Sequence, residues 1–253
     1  MSSHRLHLRI LIIGCLSWIL TSPLVPQSCT VAGPPSAQET GFVSISKGDR
    51  LSGWTAVPRN SAADWSIRDG VITGRGTVDR LSYLVWKDEL DNFDLRFDYR
   101  MVTKGNSGVE VRAHRDTTGK RPFEGYHADL GHVGIGPQVL GAWDFHFARR
   151  REPPCPRGTS LIIAKGSQLR SSRIREAVQL SQIRKHDWNS ARIVAAGPHL
   201  QFFINGKLSA EFRDNVDSQR LKRGLIGLQL HDKGMQVKFR NMRLKRLQAS
   251  PSS

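Results

Sequence analysis

Two carboxylates, two histidines, an arginine and an asparagine recur in three short runs that can bring them together. Asn106, Glu110 and Arg112 lie in Gly105–Arg112 (GNSGVEVR), and His127 and Asp129 in Gly125–Leu130 (GYHADL). His231 closes Gly224–His231 (GLIGLQLH), with Gln229 two residues before it. Successive side chains of a β-strand point to opposite faces. In the first run, Asn106, Gly108, Glu110 and Arg112 then share one face, opposite Ser107, Val109 and Val111. In the second, His127 and Asp129 oppose Tyr126, Ala128 and Leu130; in the third, Leu225, Gly227, Gln229 and His231 oppose Ile226, Leu228 and Leu230. A slip of one residue would bury the charges and expose the valines and leucines, so the facing is strongly specified. If the strands share a sheet, the polar residues gather over a surface lightened by glycine.

Glu110 and Asp129 invite paired-carboxylate catalysis. Directly opposed residues on neighbouring strands have Cβ atoms about 4.5–5.5 Å apart, and diagonal ones about 7–8 Å. Retaining glycosidases hold their carboxyls about 5–5.5 Å apart and inverting ones about 6.5–9.5 Å. Either register therefore serves either mechanism. The structural alternative is an Arg112–carboxylate pair that neutralises a partly buried charge. His127, Asp129 and His231 are candidate ligands of a divalent metal, the histidines alternatively acid–base groups or plain polar residues. Asn106, Arg112 and Gln229 present groups suited to hydroxyls or a carbonyl oxygen of a ligand. Cys15, Cys29 and Cys155 lack the spacing of a structural zinc site. One disulfide, Cys29–Cys155, is open; a buried, free Cys155 is the preferred expectation.

The elements that must position these residues are short strands. Asp69-Gly70 and Asn205-Gly206 each sit between strand-like runs, the strongest short hairpin signal. Many such units without intervening helices predict an all-β sandwich of antiparallel sheets. Apolar residues at partly helical spacing (Ile174, Ala177, Val178, Ile183) predict one short amphipathic helix over Arg173–Ile183. Gly131–Pro156, rich in glycine and proline, reads as a long mid-chain loop, where functional residues often lie. It carries Asp144, His146 and Trp143, the last expected as an exposed aromatic platform for a ligand, while Trp54, Trp65, Trp86 and Trp188 are expected to pack.

The chain has 253 residues, enough for one well-buried domain. Its start reads as an export signal: basic residues from His4 to Arg9, an apolar Ile10–Leu20, then Pro23 and Pro26. That apolar run is shorter than the roughly 20 residues that span a bilayer. The expected organisation is a signal peptide at 1–32, a linker at 33–40, the sandwich at 41–248 and a tail at 249–253. A secreted, periplasmic or envelope location follows, with a retained N-terminal anchor as the alternative. Lys and Arg total 38 against 22 acids, a formal charge of +16. Such a charge attracts nucleic acid or acidic glycans. No nucleic-acid-binding motif accompanies it and the cations are scattered, so a solvated basic surface is expected and no specific nucleic-acid partner.

The three runs also resemble signature segments of the 3-keto-disaccharide hydrolase family. So do Leu51–Trp54 (LSGW), Trp65–Gly74 (WSIRDGVITG), Phe93–Arg100 (FDLRFDYR), Pro156–Gly158 (PRG), Trp188–Ile193 (WNSARI), Ile204–Gly206 (ING) and Val237–Arg243 (VKFRNMR). Their order and spacing carry the resemblance from about Gly41 to Leu247. It implies a concanavalin A-like jelly-roll sandwich acting on a carbohydrate. Asn106 and Arg112 match an NSG-x-x-x-R pattern and His231 a GLQxH pattern; where His127 stands, relatives often carry glutamine or an acid. A Gly-x-(Leu/Ile)-Tyr pattern of relatives is not plain in GPQVLGAWDFHF, where Trp143 can stand for the tyrosine.

The chemistry so implied has a physical logic. A ketone at C3 of a sugar acidifies the hydrogen on C2; a base removes it, the enolate expels the C1 substituent, and water adds back. Such a site needs a base and either positive charge or donors at the ketone oxygen. Glu110 or Asp129 can be the base, and Arg112, His231 or a bound cation can hold the enolate. The expectation is a glycoside-cleaving enzyme with Glu110, Asp129 and His231 catalytic and Asn106, Arg112, His127, Trp143 and Gln229 binding substrate. The rival is a lectin-like module without turnover, because fold does not fix function.

Overall fold

The computed structural model describes residues 40–131, 139–164, 166 and 168–248. The expected leader, the linker up to residue 39, the tail and residues 132–138 of the mid-chain connection lie outside these residues. In chain order the first strands are β1 (Val43–Ser44), β2 (Trp54–Val57), β3 (Trp65–Arg68), β4 (Val71–Arg75), β5 (Ser82–Trp86) and β6 (Phe93–Met101). Then come β7 (Ser107–Arg115), β8 (Phe123–Gly131), β9 (Trp143–His146), β10 (Thr159–Ala164) and β11 (Gln168–Arg173). The last are β12 (Asn189–Ala196), β13 (His199–Ile204), β14 (Lys207–Asp214), β15 (Leu225–Leu230) and β16 (Gln236–Arg246).

These strands form two sheets, a jelly-roll sandwich of the concanavalin-like kind. The larger runs β11-β10-β14-β13-β12-β6-β16-β4-β3, with β1 against β16; the smaller runs β2-β5-β15-β7-β8-β9. The Asp69-Gly70 and Asn205-Gly206 pairs make the hairpins β3–β4 and β13–β14. All four residues have positive φ, between 50° and 80°, as a two-residue turn of matching twist requires. One face of each sheet builds the core between them. Phe93, Leu95, Phe97 and Tyr99 of β6 meet Val109, Val111, Ile226 and Leu228 of β7 and β15, all buried. Tyr83, Val85, Val57, Ala113 and Phe123 form a second apolar cluster on the far face of the small sheet.

Two expectations about secondary structure are corrected. Arg173–Ile183 holds no amphipathic helix: β11 ends at Arg173, and one 3-10 turn, Leu180–Gln182, follows. Ala177, Val178 and Ile183 are nonetheless buried, so their spacing reports contact with the sandwich, Val178 N–H bonding Leu208 O, and not helical period. The mid-chain connection is not all loop either, because Trp143–His146 forms edge strand β9 against β8. Cys155 is free and buried, its Sγ 3.4 Å from Thr159 O and 3.3 Å from Glu211 O. Burial pushes its thiol up to about 12, which leaves it inert as a nucleophile. Among the described residues no helix is long and apolar enough to cross a membrane.

Candidate functional site

The far face of the small sheet carries the chemistry. Glu110 on β7 stands directly opposite His127 on β8, and on the next strand His146 stands opposite Gly125. Gly125 is what lets three strands converge: a Cβ there would collide with the Glu110 carboxylate. Without one, the Glu110 side chain reaches across β8. Gly108 does the same for His127, whose ring lies where a side chain on residue 108 would stand. The expected glycine-lightened surface thus has a concrete use.

Both imidazoles meet one oxygen. His127 Nδ1 and His146 Nδ1 each lie 3.0 Å from Glu110 Oε2, and the two rings stack with centroids 4.7 Å apart. Glu110 is fully buried, and its second oxygen, Oε1, has no partner among the described residues. The solvent side of the cluster is β9: His146 is 12% exposed and Asp144 40%, with His146 Nε2 3.4 Å from Asp144 Oδ2. Beside Glu110, across Gly227, Gln229 Nε2 donates to Tyr83 Oη at 3.2 Å; Gln229 Oε1 is buried without a partner.

Electrostatics sort these groups. Burial resists ionisation of Glu110, but the charge of His146 and the hydrogen bonds of both imidazoles outweigh it and hold its carboxyl at about 2. Burial likewise opposes charge on His146, yet the Glu110 and Asp144 carboxylates raise it to about 9. Asp144 is held at about 2, its burial overcome by the His146 bond and charge. Burial first, and Glu110 second, push the Tyr83 phenol up. At neutral pH the cluster is therefore a buried carboxylate flanked by an imidazolium. Among the described residues, Glu110, His127 and His146 are the group whose donor atoms, one from each, lie within 4.8 Å of one another.

The residues anticipated from sequence divide. Glu110, His127, Asp129 and Gln229 lie on this face; Asp129, buried and opposite Gly108, is the diagonal neighbour of Glu110. Arg112 does not join them. A bulge gives β7 one extra residue against both β8 and β15, with Arg112 at φ 48°. A bulge ends strict alternation and re-aims the side chain. The Arg112 guanidinium instead donates to Asp91 O (3.0 and 2.8 Å), Gly197 O (2.8 Å) and Leu221 O (3.1 Å), tying three connections together. Trp143 is no platform: it is fully buried in the core, donating to Ala210 O and packed edge-on against Phe202 and Phe212.

His231 also stands apart from the Glu110 cluster, 45% exposed and paired with Asp232 Oδ1 at 2.7 Å. Asp232 Oδ2 accepts the Asn106 N–H at 2.6 Å, so Asn106 and His231 belong to a second polar group at the strand ends. Of the expected ligands His127, Asp129 and His231, only His127 belongs to the group whose donor atoms cluster, with Glu110 and His146. His146 was missed as a site residue because glycines and prolines around it read as loop. The signal was there in Trp143–Phe147, WDFHF, which alternates at period two.

The molecule is thus a jelly-roll sandwich with a buried acid–imidazole cluster on the outward side of its smaller sheet. The chain belongs to the 3-keto-α-glucoside-1,2-lyase-like family, whose model matches residues 41–245. Two solved structures from Parabacteroides distasonis, both described as putative glycosyl hydrolases, share the fold. One is 23% identical with a TM-score of 0.55, covering 81% of this chain and 99% of its own. The other is 19% identical with a TM-score of 0.54, covering 82% and 94%. No curated protein matches this chain in sequence.

Proposed function

We propose that this protein cleaves the glycosidic bond of 3-keto-glucosides by elimination, the outward face of the small sheet being its active site. The family supplies the reaction class, and the observation that carries the reading is the Glu110–His127–His146 cluster with its unpartnered oxygen. In the reaction the C2–H bond breaks and its proton passes to a base. The electron pair forms the C2=C1 bond as the C1–O bond breaks, and the leaving sugar oxygen takes a proton.

The groups on the face suit these roles unequally. Glu110, bound to two imidazoles and held at about 2, is a weak base. Asp129, one diagonal step away, is the carboxylate assigned to the C2 proton. His146, cationic and on the solvent side, faces the developing enolate oxygen or the leaving group, where charge in a low-dielectric site acts strongly. Buried Gln229 and Tyr83 orient sugar hydroxyls. Addition of water to the product completes a net hydrolysis.

The test is turnover of 3-keto-disaccharides against their unoxidised parents, followed by the absorbance of the unsaturated ketone. Asp129→Asn and His146→Ala are each expected to lower kcat by about 10²–10⁴-fold, the usual worth of a positioned acid or base. Wild-type turnover in both variants, or equal cleavage of the unoxidised sugar, overturns the reading. Export is also proposed, on the basic–apolar–small pattern of residues 1–32. A mature mass starting near Gly33 or Gln38 supports it, and an intact N-terminus in the membrane fraction overturns it.

A further inference from the structure

We infer that Glu110, His127 and His146 form a mononuclear centre for a first-row divalent transition metal. The arrangement of donors is the first argument. A buried carboxylate has two oxygens to offer, yet both imidazoles converge on Oε2 at 3.0 Å and Oε1 is left without a partner. A cluster held by hydrogen bonds alone gains by sharing its two donors between both oxygens, since an unmade bond in the interior is costly. One donor atom from each of the three residues lies within 4.8 Å of the others, the clustering that a shared cation requires.

Dimensions agree. Zinc binds imidazole nitrogen and carboxylate oxygen at about 2.0–2.2 Å, which in tetrahedral geometry sets neighbouring donors about 3.3 Å apart. The two nitrogen–oxygen separations here are 3.0 Å and all three donor atoms lie within 4.8 Å of one another, so re-spacing of these side chains admits an ion. Two nitrogens and one oxygen suit zinc, iron, cobalt or manganese, whereas calcium takes six to eight oxygen ligands. Ligating histidines commonly present their second nitrogen to a carboxylate, and Asp144 Oδ2 stands 3.4 Å from His146 Nε2.

Three protein ligands leave a position open, the pattern of catalytic and not of structural sites. That position lies on a face where Gln229 Oε1 also lacks a partner, and on the reading proposed above it takes the ketone oxygen of the oxidised sugar. Glu110 then serves as a ligand and not as a base, and with His146 neutral as a ligand the ion supplies the positive charge that His146 provides in the metal-free site.

The experiment uses the full, untagged chain, stripped with chelator and dialysed. Zn²⁺ is titrated and counted by elemental analysis, and Co²⁺ is titrated by visible absorption. One ion per chain is expected, with the Co²⁺ spectrum of a low-coordinate nitrogen–oxygen site. His127→Ala, His146→Ala and Glu110→Gln should abolish it; His231→Ala should keep it. Asp144→Asn, which removes no ligand, should weaken affinity by about 10–100-fold and covers the case where a ligand variant fails to fold. Substoichiometric binding, or full binding in the Glu110, His127 and His146 variants, overturns the centre. If the stripped protein binds no ion yet turns over 3-keto-glucosides at the full rate in chelator, the centre falls and the proposed function stands. Stoichiometric metal with no turnover of any 3-keto-glucoside keeps the centre and overturns the proposed function.

Discussion

The two outward faces of the sandwich carry the same kinds of side chain to different ends. On the large sheet, Asp94 accepts bonds from Arg96 and Arg192, and Asp98 from Arg240 and Asn241. Arg192 and Arg240 remain 42% and 40% exposed, with Arg240 stacked 4.0 Å over Trp188. A groove of about 590 Å³ runs along this face, bordered by Arg96, Arg192 and Arg243. There each carboxylate is matched by cations that water also serves. On the small sheet, Glu110 meets two imidazoles away from water, keeps one oxygen unpaired and holds His146 in its charged form. Acid–cation pairing alone does not make a site. Asp94 is itself buried but its Arg192 partner stays open to water, whereas Glu110, His127 and His146 are all shielded, so each charge there depends on fixed partners.

The small face is most sensitive at Gly125, where a Cβ meets the Glu110 carboxylate. Gly125→Val places a side chain in the volume of the Glu110 carboxylate, and turnover should fall by at least about 10²-fold, since small misplacements in a site cost that much. Overpacking should also destabilise the fold by about 1–3 kcal/mol. On the large face, Asp94→Asn should cost about 1–2 kcal/mol by urea denaturation and leave kcat unchanged. A drop in kcat there would erase the distinction between the faces.

A finer test follows from pH, in the metal-free protein. His146 is raised to about 9, so its contribution is fully present below its unfolded value of about 6.5 and is lost as pH rises through about 9. Glu110 is held at about 2, so its contribution is present above about 4.5 and is lost as pH falls through about 2. The two share one interaction, which should be strongest between about pH 4.5 and 6.5. Denaturation midpoints of wild type and His146→Ala should differ most in that window and converge on either side; a constant difference would deny the pairing. The smallest effect concerns the basic surface. Heparin or DNA should bind weakly and release with modest salt, because counterion release dominates such contacts. Binding that survives high salt would give the large face a partner of its own.

Much of the fold was legible in the sequence because its signals are local. Asp-Gly and Asn-Gly demand positive φ, and alternation in GNSGVEVR, GYHADL and GLIGLQLH fixes which residues face the core. The same rule placed Glu110, His127, Asp129 and Gln229 on one face. It failed where a local rule is interrupted. At Arg112 a single extra residue in β7 ends the alternation, and nothing in the run announces it, since the bulge answers to pairing with β8 and β15. Helical spacing in Arg173–Ile183 came from burial against a distant strand, Leu208 on β14, and not from a helix.

What the sequence by itself determined is the alternation, the hairpins and the supply of acids, imidazoles and glycines. Only the tertiary structure decided which of them meet. His146 joins Glu110 because β9 pairs with β8 and Gly125 leaves the space between them empty, a relation across three strands and 36 residues of chain. His231 and Arg112, nearer by motif, are carried elsewhere by the strand end and the bulge. Trp143 points inward for the same reason that His146 points outward: they are three residues apart on one strand, and strand side chains alternate.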